Sequence, residues 1–406
     1  MIYLDGFFTP EEIENAKKYK YNGKDDSICV KLFLRKYWDF LINYVPLKIA
    51  PNLITLIGFS FEVVSFLISF IISHAASRPL PWWVCIFNGI SLHIYQTLDN
   101  LDGRQARRTG SSSPLGQFFD HGCDAITGVF EMMKVVMSFS MGNTIESYVF
   151  VMLMATGFFF TSWEEYNRHA FYLGYINGPD EGLLFLAICH VLAGIFPSFK
   201  NIANFTLIQI GFVISASSTI LPIIYNVCKH IINDIEKVKQ AVISLIPALI
   251  TISISLVSLF SDHSPISISY YIITSSLVLQ YQSQMTIVAF LTLKPAIKLF
   301  DYTIGAIWLF MAIPILISSL NEGYYYWCFL TILIIGIMIY FDLGVIFGFS
   351  NGLQIPVLTL KDKSDEMPDV LSINPEGLAI EEEEEDKNEG QAVNSNLFSE
   401  SKDDEA

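Results

Sequence analysis

The chain has 406 residues, of which 52% are hydrophobic and 16% are charged. An ordinary soluble protein carries about 25% charged residues, so the composition excludes that class and indicates a membrane protein. Much of the net charge of −16 comes from residues 361–406, which hold 16 acidic side chains and four lysines. The acidity of the chain therefore says little about its substrate.

The first 48 residues are polar and contain eight lysines and arginines. They indicate a cytosolic N-terminal segment without a cleavable signal peptide. Within it, residues 28–45 mix charged side chains with aromatic ones. This mixture predicts an amphipathic helix that lies on the membrane surface before the first span.

Long hydrophobic runs follow. A helix needs roughly 20 apolar residues to cross the hydrocarbon core of a bilayer. We therefore predict an all-α polytopic membrane protein with about ten transmembrane helices. The predicted spans are residues 53–73, 83–100, 120–141, 147–166, 182–196, 202–227, 241–260, 267–291, 302–320 and 324–348.

The basic residues support this count. If the N-terminus is cytosolic and the spans alternate, 21 lysines and arginines face the cytosol, whereas two, Arg78 and Lys200, face the other side. The positive-inside rule then predicts that both termini are cytosolic.

Four segments follow from this reading. They are residues 1–48, the cytosolic segment; 49–230, a catalytic core; 231–350, C-terminal transmembrane helices; and 351–406, an acidic tail. The tail contains the acidic run from Glu381 to Asp386, and its composition predicts disorder. The six cysteines form no Cys-x-x-Cys or Cys/His cluster, which indicates neither a zinc site nor a disulfide framework.

Four aspartates lie where predicted spans two and three meet a polar loop. Asp99 and Asp102 are three residues apart, and Asp120 and Asp124 are four apart, so each pair shares one helix face. Carboxylates beside hydrocarbon are costly unless their charge is compensated. A single aspartate here could be a helix cap, but four at helical spacing predict a site for divalent cations, Mg²⁺ or Mn²⁺.

Small residues surround these aspartates. Gly116 and Gly128 continue the stripe of the second pair at four-residue spacing, and Gly103 and Ala106 keep the other helix end thin. Such residues let a ligand or another helix approach closely. Arg107 can donate guanidinium hydrogen bonds to phosphate oxygens.

The pattern D-x2-D-G-x2-A-R-x8-G-x3-D-x3-D is matched at every fixed position by residues 99–124. The chain therefore resembles the CDP-alcohol phosphatidyltransferases. The stretches 50–58, 105–109, 111–116 and 177–183 are similar to the eukaryotic choline/ethanolamine phosphotransferase branch. The resemblance is strongest over residues 45–185, weaker through the later spans and absent from the tail.

The resemblance implies an activity: transfer of phosphocholine or phosphoethanolamine from its CDP carrier to the hydroxyl of diacylglycerol, with release of CMP. It implies that two Mg²⁺ or Mn²⁺ ions are bound by Asp99, Asp102, Asp120 and Asp124. It also implies a set of residues that line the CDP site, which are Asn52, Gly103, Ala106, Arg107 and Gly116. The branch suggests a homodimer in the endoplasmic reticulum or Golgi membrane.

The lipid hydroxyl needs a general base, and two candidates remain open. His121 lies inside the metal motif and has an ordinary pKa suited to this task. Asp124 is the alternative, although engagement with metal would lower its basicity. Glu181 could orient His121, meet the amino-alcohol cation or be a surface loop charge.

Three further charged residues fall inside predicted spans. Glu131 and Lys134 are three residues apart and are expected to pair, and Glu62 is either a buried partner or part of the site.

Other functions also stay open. The same aspartates would suit a cation-binding transporter, although such sites usually lie near the membrane midplane on broken helices. An enzyme of the same fold with another acceptor, such as inositol or a glycerol phosphate, is a further alternative. The sequence does not decide between choline and ethanolamine.

Overall fold

Long helices make up most of the described chain. The computed structural model describes residues 7–196, 220–221, 223–259, 265–299, 301–317, 320 and 324–361. Within these ranges the only strands are Gly23–Asp25 (β1) and Phe171–Leu173 (β2). The all-α class is therefore confirmed. The acidic tail, apart from its first residues, lies outside the described residues, so its predicted disorder stays a prediction.

Residues 30–44 are continuously helical. They comprise a π turn (Val30–Leu34), an α-helix (Arg35–Leu41) and a 3-10 turn (Ile42–Tyr44). The buried side chains recur every four residues and are Val30, Leu34, Trp38 and Ile42. They pack against Ile54 and Leu101. The stretch is thus helical with one face on the protein, whereas its placement on a membrane surface stays a prediction.

The long helices follow in chain order. With Pro10–Ala16 as α1 and Arg35–Leu41 as α2, they are α3 (Pro51–Ile72), α4 (Trp82–Thr109), α5 (Pro114–Ser138), α6 (Ile145–Arg168), α7 (Leu183–Ile195), α8 (Ile235–Leu259), α9 (Pro265–Thr292), α10 (Tyr302–Leu316) and α11 (Tyr324–Leu353). Each of α3 to α11 overlaps a predicted span. The remaining predicted span, 202–227, lies mostly outside the described residues.

Five described segments are long and apolar enough to cross a membrane. They are Pro51–Ile72, Ile145–Arg168, Gly178–Ile195, Ile235–Leu259 and Tyr324–Leu353. α10 is apolar, but its 15 residues make it shorter than these five segments. α4 and α5 are longer, but they carry the aspartates and are not among the five. The helices therefore support a membrane protein, whereas the ten-span count and the segment boundaries after residues 48, 230 and 350 stay predictions.

A tight turn joins α4 to α5. Gly110 ends α4 with φ +66°, a left-handed conformation that favours glycine. Ser113 caps α5 because its Oγ accepts the N–H of Gly116 at 3.1 Å, and Pro114 occupies the first helical position. The turn places the polar ends of the two helices side by side.

A short parallel pairing of β1 with β2 ties the N-terminal segment to the end of α6. Gly23 pairs with Phe171, and Asp25 pairs with Leu173. Beside the pairing, Asp26 accepts hydrogen bonds from Lys31 at 2.8 Å and from the Tyr172 hydroxyl at 3.1 Å. The N-terminal segment therefore lies next to the loop that follows α6.

The interior holds a charged group that joins three helices. Nζ of Lys134 on α5 lies 2.6 Å from Glu62 of α3 and 2.8 Å from Glu131. Glu131 also lies 2.8 Å from Nε2 of His190 on α7. All four side chains are fully buried. The predicted pairing of Glu131 with Lys134 is confirmed, and Glu62 is a buried partner of the same lysine.

Candidate metal and nucleotide site

The joined ends of α4 and α5 bring three aspartates together. Asp99 of α4 and Asp120 and Asp124 of α5 each offer a carboxylate oxygen, and these oxygens lie within 4.8 Å of one another. One oxygen each of Asp99 and Asp120 is buried without a hydrogen-bond partner within the described chain. The face of α4 that carries Asp99 therefore meets the face of α5 that carries Asp120 and Asp124.

Neighbouring hydroxyl groups hold two of the predicted ligands. The Tyr95 hydroxyl donates a short hydrogen bond to Oδ1 of Asp124. The Thr55 hydroxyl donates a similarly short bond to Oδ2 of Asp102. Asp102 is 6% exposed and lies outside the group of three. Its role as a metal ligand stays a prediction, because its carboxylate is turned toward α3.

The residues fit a hard divalent cation. All the convergent donors are carboxylate oxygens, the ligands that Mg²⁺ and Mn²⁺ prefer. Three carboxylates packed this closely repel one another, and unpartnered buried oxygens are costly. A bound cation would remove both penalties.

His121 projects from α5 toward the end of α6. Its Nδ1 lies 3.8 Å from Oε2 of Glu165, and both side chains are nearly buried, with 13% and 5% exposed. The Gln117 amide lies 3.1 Å from Nε2 of His121 and 3.4 Å from Oε1 of Glu165. The Phe171 ring covers the imidazole at a centroid distance of 5.4 Å. Contacts from three sides therefore fix the orientation of the imidazole.

Glu181 occupies a different place from the one predicted beside His121. Its Oε1 accepts the Ser27 hydroxyl at 2.5 Å and the Cys29 N–H at 2.9 Å, and its Oε2 accepts the Asn177 N–H at 3.0 Å. The carboxylate therefore tethers the N-terminal segment, and Glu165 is the acid that faces His121. The geometry corrects the predicted orienting partner, while a contact of Glu181 with the amino alcohol stays a prediction.

The residues expected around CDP fall into two groups of neighbours. A Cβ on Gly116 would lie 3.7 Å from Oδ1 of Asn52, so these two positions are neighbours. A Cβ on Gly103 would lie 3.6 Å from Nη1 of Arg107, so these two positions are also neighbours. Ala106, which lies between Gly103 and Arg107 in the sequence, is half-buried. Contact of these residues with CDP stays a prediction.

Sequence reasoning missed three residues that support the site. Tyr95 lies one helical turn before Asp99, and Thr55 lies three residues after Asn52, so both positions could have been found by following the helix faces. Glu165 lies in the stretch Trp163–Tyr166, but nothing local in the sequence connects it with His121. That contact depends on how α5 packs against α6.

The later helices also reach the metal-bearing helix. Gln284 of α9 donates to the carbonyl of Gly122 at 3.2 Å and lies 3.5 Å from Oδ2 of Asp342 on α11. The other oxygen of Asp342 is buried and has no hydrogen-bond partner within the described chain. The segment of α5 between Asp120 and Asp124 is therefore contacted by α9 through this hydrogen bond.

Comparison with known proteins agrees with this site. The family model for CDP-alcohol phosphatidyltransferase matches residues 48–216, which include all four aspartates. Residues 48–216 are therefore similar to a CDP-alcohol phosphatidyltransferase domain. The domain thus contains α3 to α7 and the turn on which the site is built.

Several relatives match over this domain. The chain is 40% identical over 190 residues to choline/ethanolaminephosphotransferase 1 of Arabidopsis thaliana, covering 47% of this chain and 48% of that one. It is 36% identical over 192 residues to choline/ethanolaminephosphotransferase 1 of Saccharomyces cerevisiae, covering 47% and 49%. It is 47% identical over 183 residues to an uncharacterized CDP-alcohol phosphatidyltransferase class-I family protein of Dictyostelium discoideum, covering 45% of each. In these alignments the chain spans about half the length of the relatives it matches.

Proposed function

We propose that this protein transfers phosphoethanolamine or phosphocholine from its CDP carrier to the hydroxyl of diacylglycerol, which makes phosphatidylethanolamine or phosphatidylcholine and releases CMP. The observation that carries the proposal is the convergence of Asp99, Asp120 and Asp124 inside a CDP-alcohol phosphatidyltransferase domain. Relatives named choline/ethanolaminephosphotransferase support the choice of amino alcohol and acceptor.

The three convergent aspartates, together with Asp102, would hold the divalent cations. Bound Mg²⁺ or Mn²⁺ would neutralise the diphosphate and stabilise the charge on the departing CMP. The Tyr95 hydroxyl orients one carboxylate and the Thr55 hydroxyl orients another, so each keeps an oxygen directed away from its donor. Two ions are expected from the family resemblance.

The diphosphate would lie between the aspartates and Arg107. The guanidinium offers several N–H donors to phosphate oxygens. Gly103 and Gly116 carry no side chain, so the backbone of both helix ends can approach the nucleotide. Asn52 adjoins Gly116 and is held by a hydrogen bond from Nδ2 to the carbonyl of Val357 at 2.9 Å.

His121 is the favoured general base. An imidazole nitrogen takes the proton of the lipid hydroxyl, and the hydroxyl oxygen forms a bond to the phosphorus that bears the amino alcohol. The bond from that phosphorus to the bridging oxygen breaks, and its electron pair leaves with CMP. Glu165 stabilises the imidazolium that forms. Asp124 is the weaker alternative, because it accepts a hydrogen bond from Tyr95 and belongs to the cation group.

We further propose that the enzyme is a homodimer of the endoplasmic reticulum or Golgi membrane, with its site and both termini in the cytosol. A soluble CDP-alcohol would then reach the site from the aqueous side while diacylglycerol arrives from the bilayer. The excess of basic residues on the proposed cytosolic side supports this orientation.

A transporter is less well supported. The aspartates lie near adjoining ends of two continuous helices, α4 and α5, and the last turn of α4 carries Arg107 and Arg108. Transporter cation sites usually lie near the midplane on interrupted helices. An enzyme with another acceptor, such as inositol or a glycerol phosphate, would use the same aspartates. An activity assay with each acceptor distinguishes that enzyme from one that uses diacylglycerol.

The test uses the full chain in vesicles that contain diacylglycerol. We expect CMP release that requires Mg²⁺ or Mn²⁺, stops with a chelator and is lost in Asp120→Ala. Competition of CDP-choline with CDP-ethanolamine gives the preference, and replacing diacylglycerol with inositol tests the acceptor. Unaltered turnover in Asp99→Ala or Asp120→Ala would remove the ligand assignment. Cation flux into the same vesicles without CMP release would favour the transporter.

A further inference from the structure

A cavity of about 760 Å³ lies among the C-terminal helices, outside the matched domain. Val288 and Ala289 of α9 line one wall, and Phe329, Leu333, Gly336 and Tyr340 of α11 line another. The α11 residues recur at three- or four-residue spacing, so they form one stripe along that helix. The long walls of the cavity are therefore apolar and run parallel to the helices.

Gly336 leaves one position in the α11 wall of the cavity without a side chain. A Cβ at this position would meet no heavy atom within 4 Å, so the glycine borders open space and does not serve the close approach of another helix. An extended hydrocarbon chain would fit along such a wall, because it buries apolar area without needing hydrogen bonds. The volume is within the range of sites for single small ligands.

One end of the cavity is polar. It carries Lys294, Lys298 and Asp301, which lie in the connection between α9 and α10. Nζ of Lys294 lies 3.0 Å from Oε1 of Glu12, so this lysine is already neutralised. Lys298 and Asp301 are exposed, and neither forms an ion pair within the part of the chain that the structure describes. The mouth therefore offers one positive and one negative charge above an apolar wall.

We propose that this cavity binds one zwitterionic phospholipid, with its phosphate at Lys298, its ammonium at Asp301 and an acyl chain along Gly336. The balanced charge of the mouth favours a zwitterion over an anionic lipid, which would leave Asp301 opposed to a negative headgroup. Diacylglycerol has no charge to pair with either residue. The site does not depend on the proposed reaction, since no residue of the aspartate cluster lines it.

The site adjoins the domain without belonging to it. Tyr281 and Met285 line the cavity from α9, and Gln284 between them contacts the Gly122 carbonyl of α5. A lipid in the cavity would therefore pack against the helix that supports the metal-bearing helix.

The test uses the purified full chain in nanodiscs that contain a phosphatidylcholine with a photoreactive group in one acyl chain. We expect labelling of the peptide that spans residues 324–353, and we expect competition by unlabelled phosphatidylcholine or phosphatidylethanolamine at least five-fold better than by phosphatidylglycerol. Gly336→Trp should reduce labelling at least five-fold. Gly305→Trp is the matched control, because Gly305 on α10 is also exposed and also has nothing near its Cβ.

The charge pair is tested in the same preparation. Asp301→Ala should reduce the preference over phosphatidylglycerol. Lys298→Ala should weaken competition by both lipids without reducing that preference, and neither substitution should change the size of the purified particle. Equal competition by phosphatidylglycerol, or equal loss in Gly336→Trp and Gly305→Trp, would overturn the proposal. A crosslink between two copies of the chain at residues 324–353 would also overturn it and would assign this face to a homodimer.

Discussion

The imidazole of His121 faces the carboxylate of Glu165, with Nδ1 3.8 Å from Oε2. The contact joins α5, which carries two of the clustered aspartates, to the last turn of α6. Gln117 bridges both side chains and Phe171 covers the ring. This arrangement resembles the general pattern of a histidine base that is oriented by an acid.

Replacing the base should abolish turnover and keep nucleotide binding. His121→Ala should lower kcat by about 10²–10⁴, the usual contribution of a general base, while metal-dependent CDP binding persists. Rapid-quench measurement of CMP release with a separate CDP-binding assay checks this. Near-normal turnover in His121→Ala would make Asp124 the better base.

Replacing the orienting acid should have a smaller effect that depends on pH. Glu165→Gln should lower kcat by roughly 10-fold, leave KM for the CDP-alcohol unchanged and shift the pH profile, since the imidazolium loses its negative partner. Glu164→Gln is the matched control, because the neighbouring Glu164 pairs with Arg168 instead. An unchanged pH profile in Glu165→Gln would contradict the role.

Neutralising one clustered aspartate should stabilise the metal-free protein while abolishing activity. Asp99→Asn removes a charge from a crowded group whose oxygens lack partners, so its unfolding midpoint without divalent ions should rise. Addition of Mg²⁺ should stabilise the unsubstituted protein more than the variant. Thermal unfolding with and without Mg²⁺ provides the readout, and equal Mg²⁺ shifts would argue against a ligand role for Asp99.

Thr55 tests whether Asp102 takes part in metal binding. Thr55→Val removes the hydroxyl that holds Asp102 and should weaken apparent Mn²⁺ affinity about 10- to 100-fold if that carboxylate is a ligand. Thr55→Ser keeps the donor and should restore affinity. A Mn²⁺ affinity that is the same in Thr55→Val and the unsubstituted chain would leave Asp102 as a structural residue.

Removing the buried cation should destabilise the protein strongly. Lys134→Met removes the cation that lies between Glu62 and Glu131 and leaves the buried Glu62 without its ion-pair partner, which should cost about 3–5 kcal/mol. Lys239→Met is the control, since the pair of Lys239 with Glu236 is exposed and should contribute below about 1 kcal/mol. Unfolding in detergent measures both. Adding Glu131→Gln to Lys134→Met should recover part of the loss, and equal effects of the two lysine substitutions would contradict the argument.

The all-helical class and the pairing of Asp120 with Asp124 on one helix face followed from the sequence, because both are set by residues within one or two helical turns of each other. The motif by itself also indicated similarity to the CDP-alcohol phosphatidyltransferases. The pairing of Glu131 with Lys134 was predictable for the same local reason.

Only the tertiary structure decided which distant side chains meet. Glu165, and not Glu181, faces His121 because α6 packs beside α5, and Asp102 turns to Thr55 because α3 packs beside α4. Local spacing fixes the direction of a side chain from its own helix, whereas the partner that it reaches depends on helix packing across tens of residues of sequence. The sequence by itself thus determined the chemistry available to the site, and the packing decided which residues orient it.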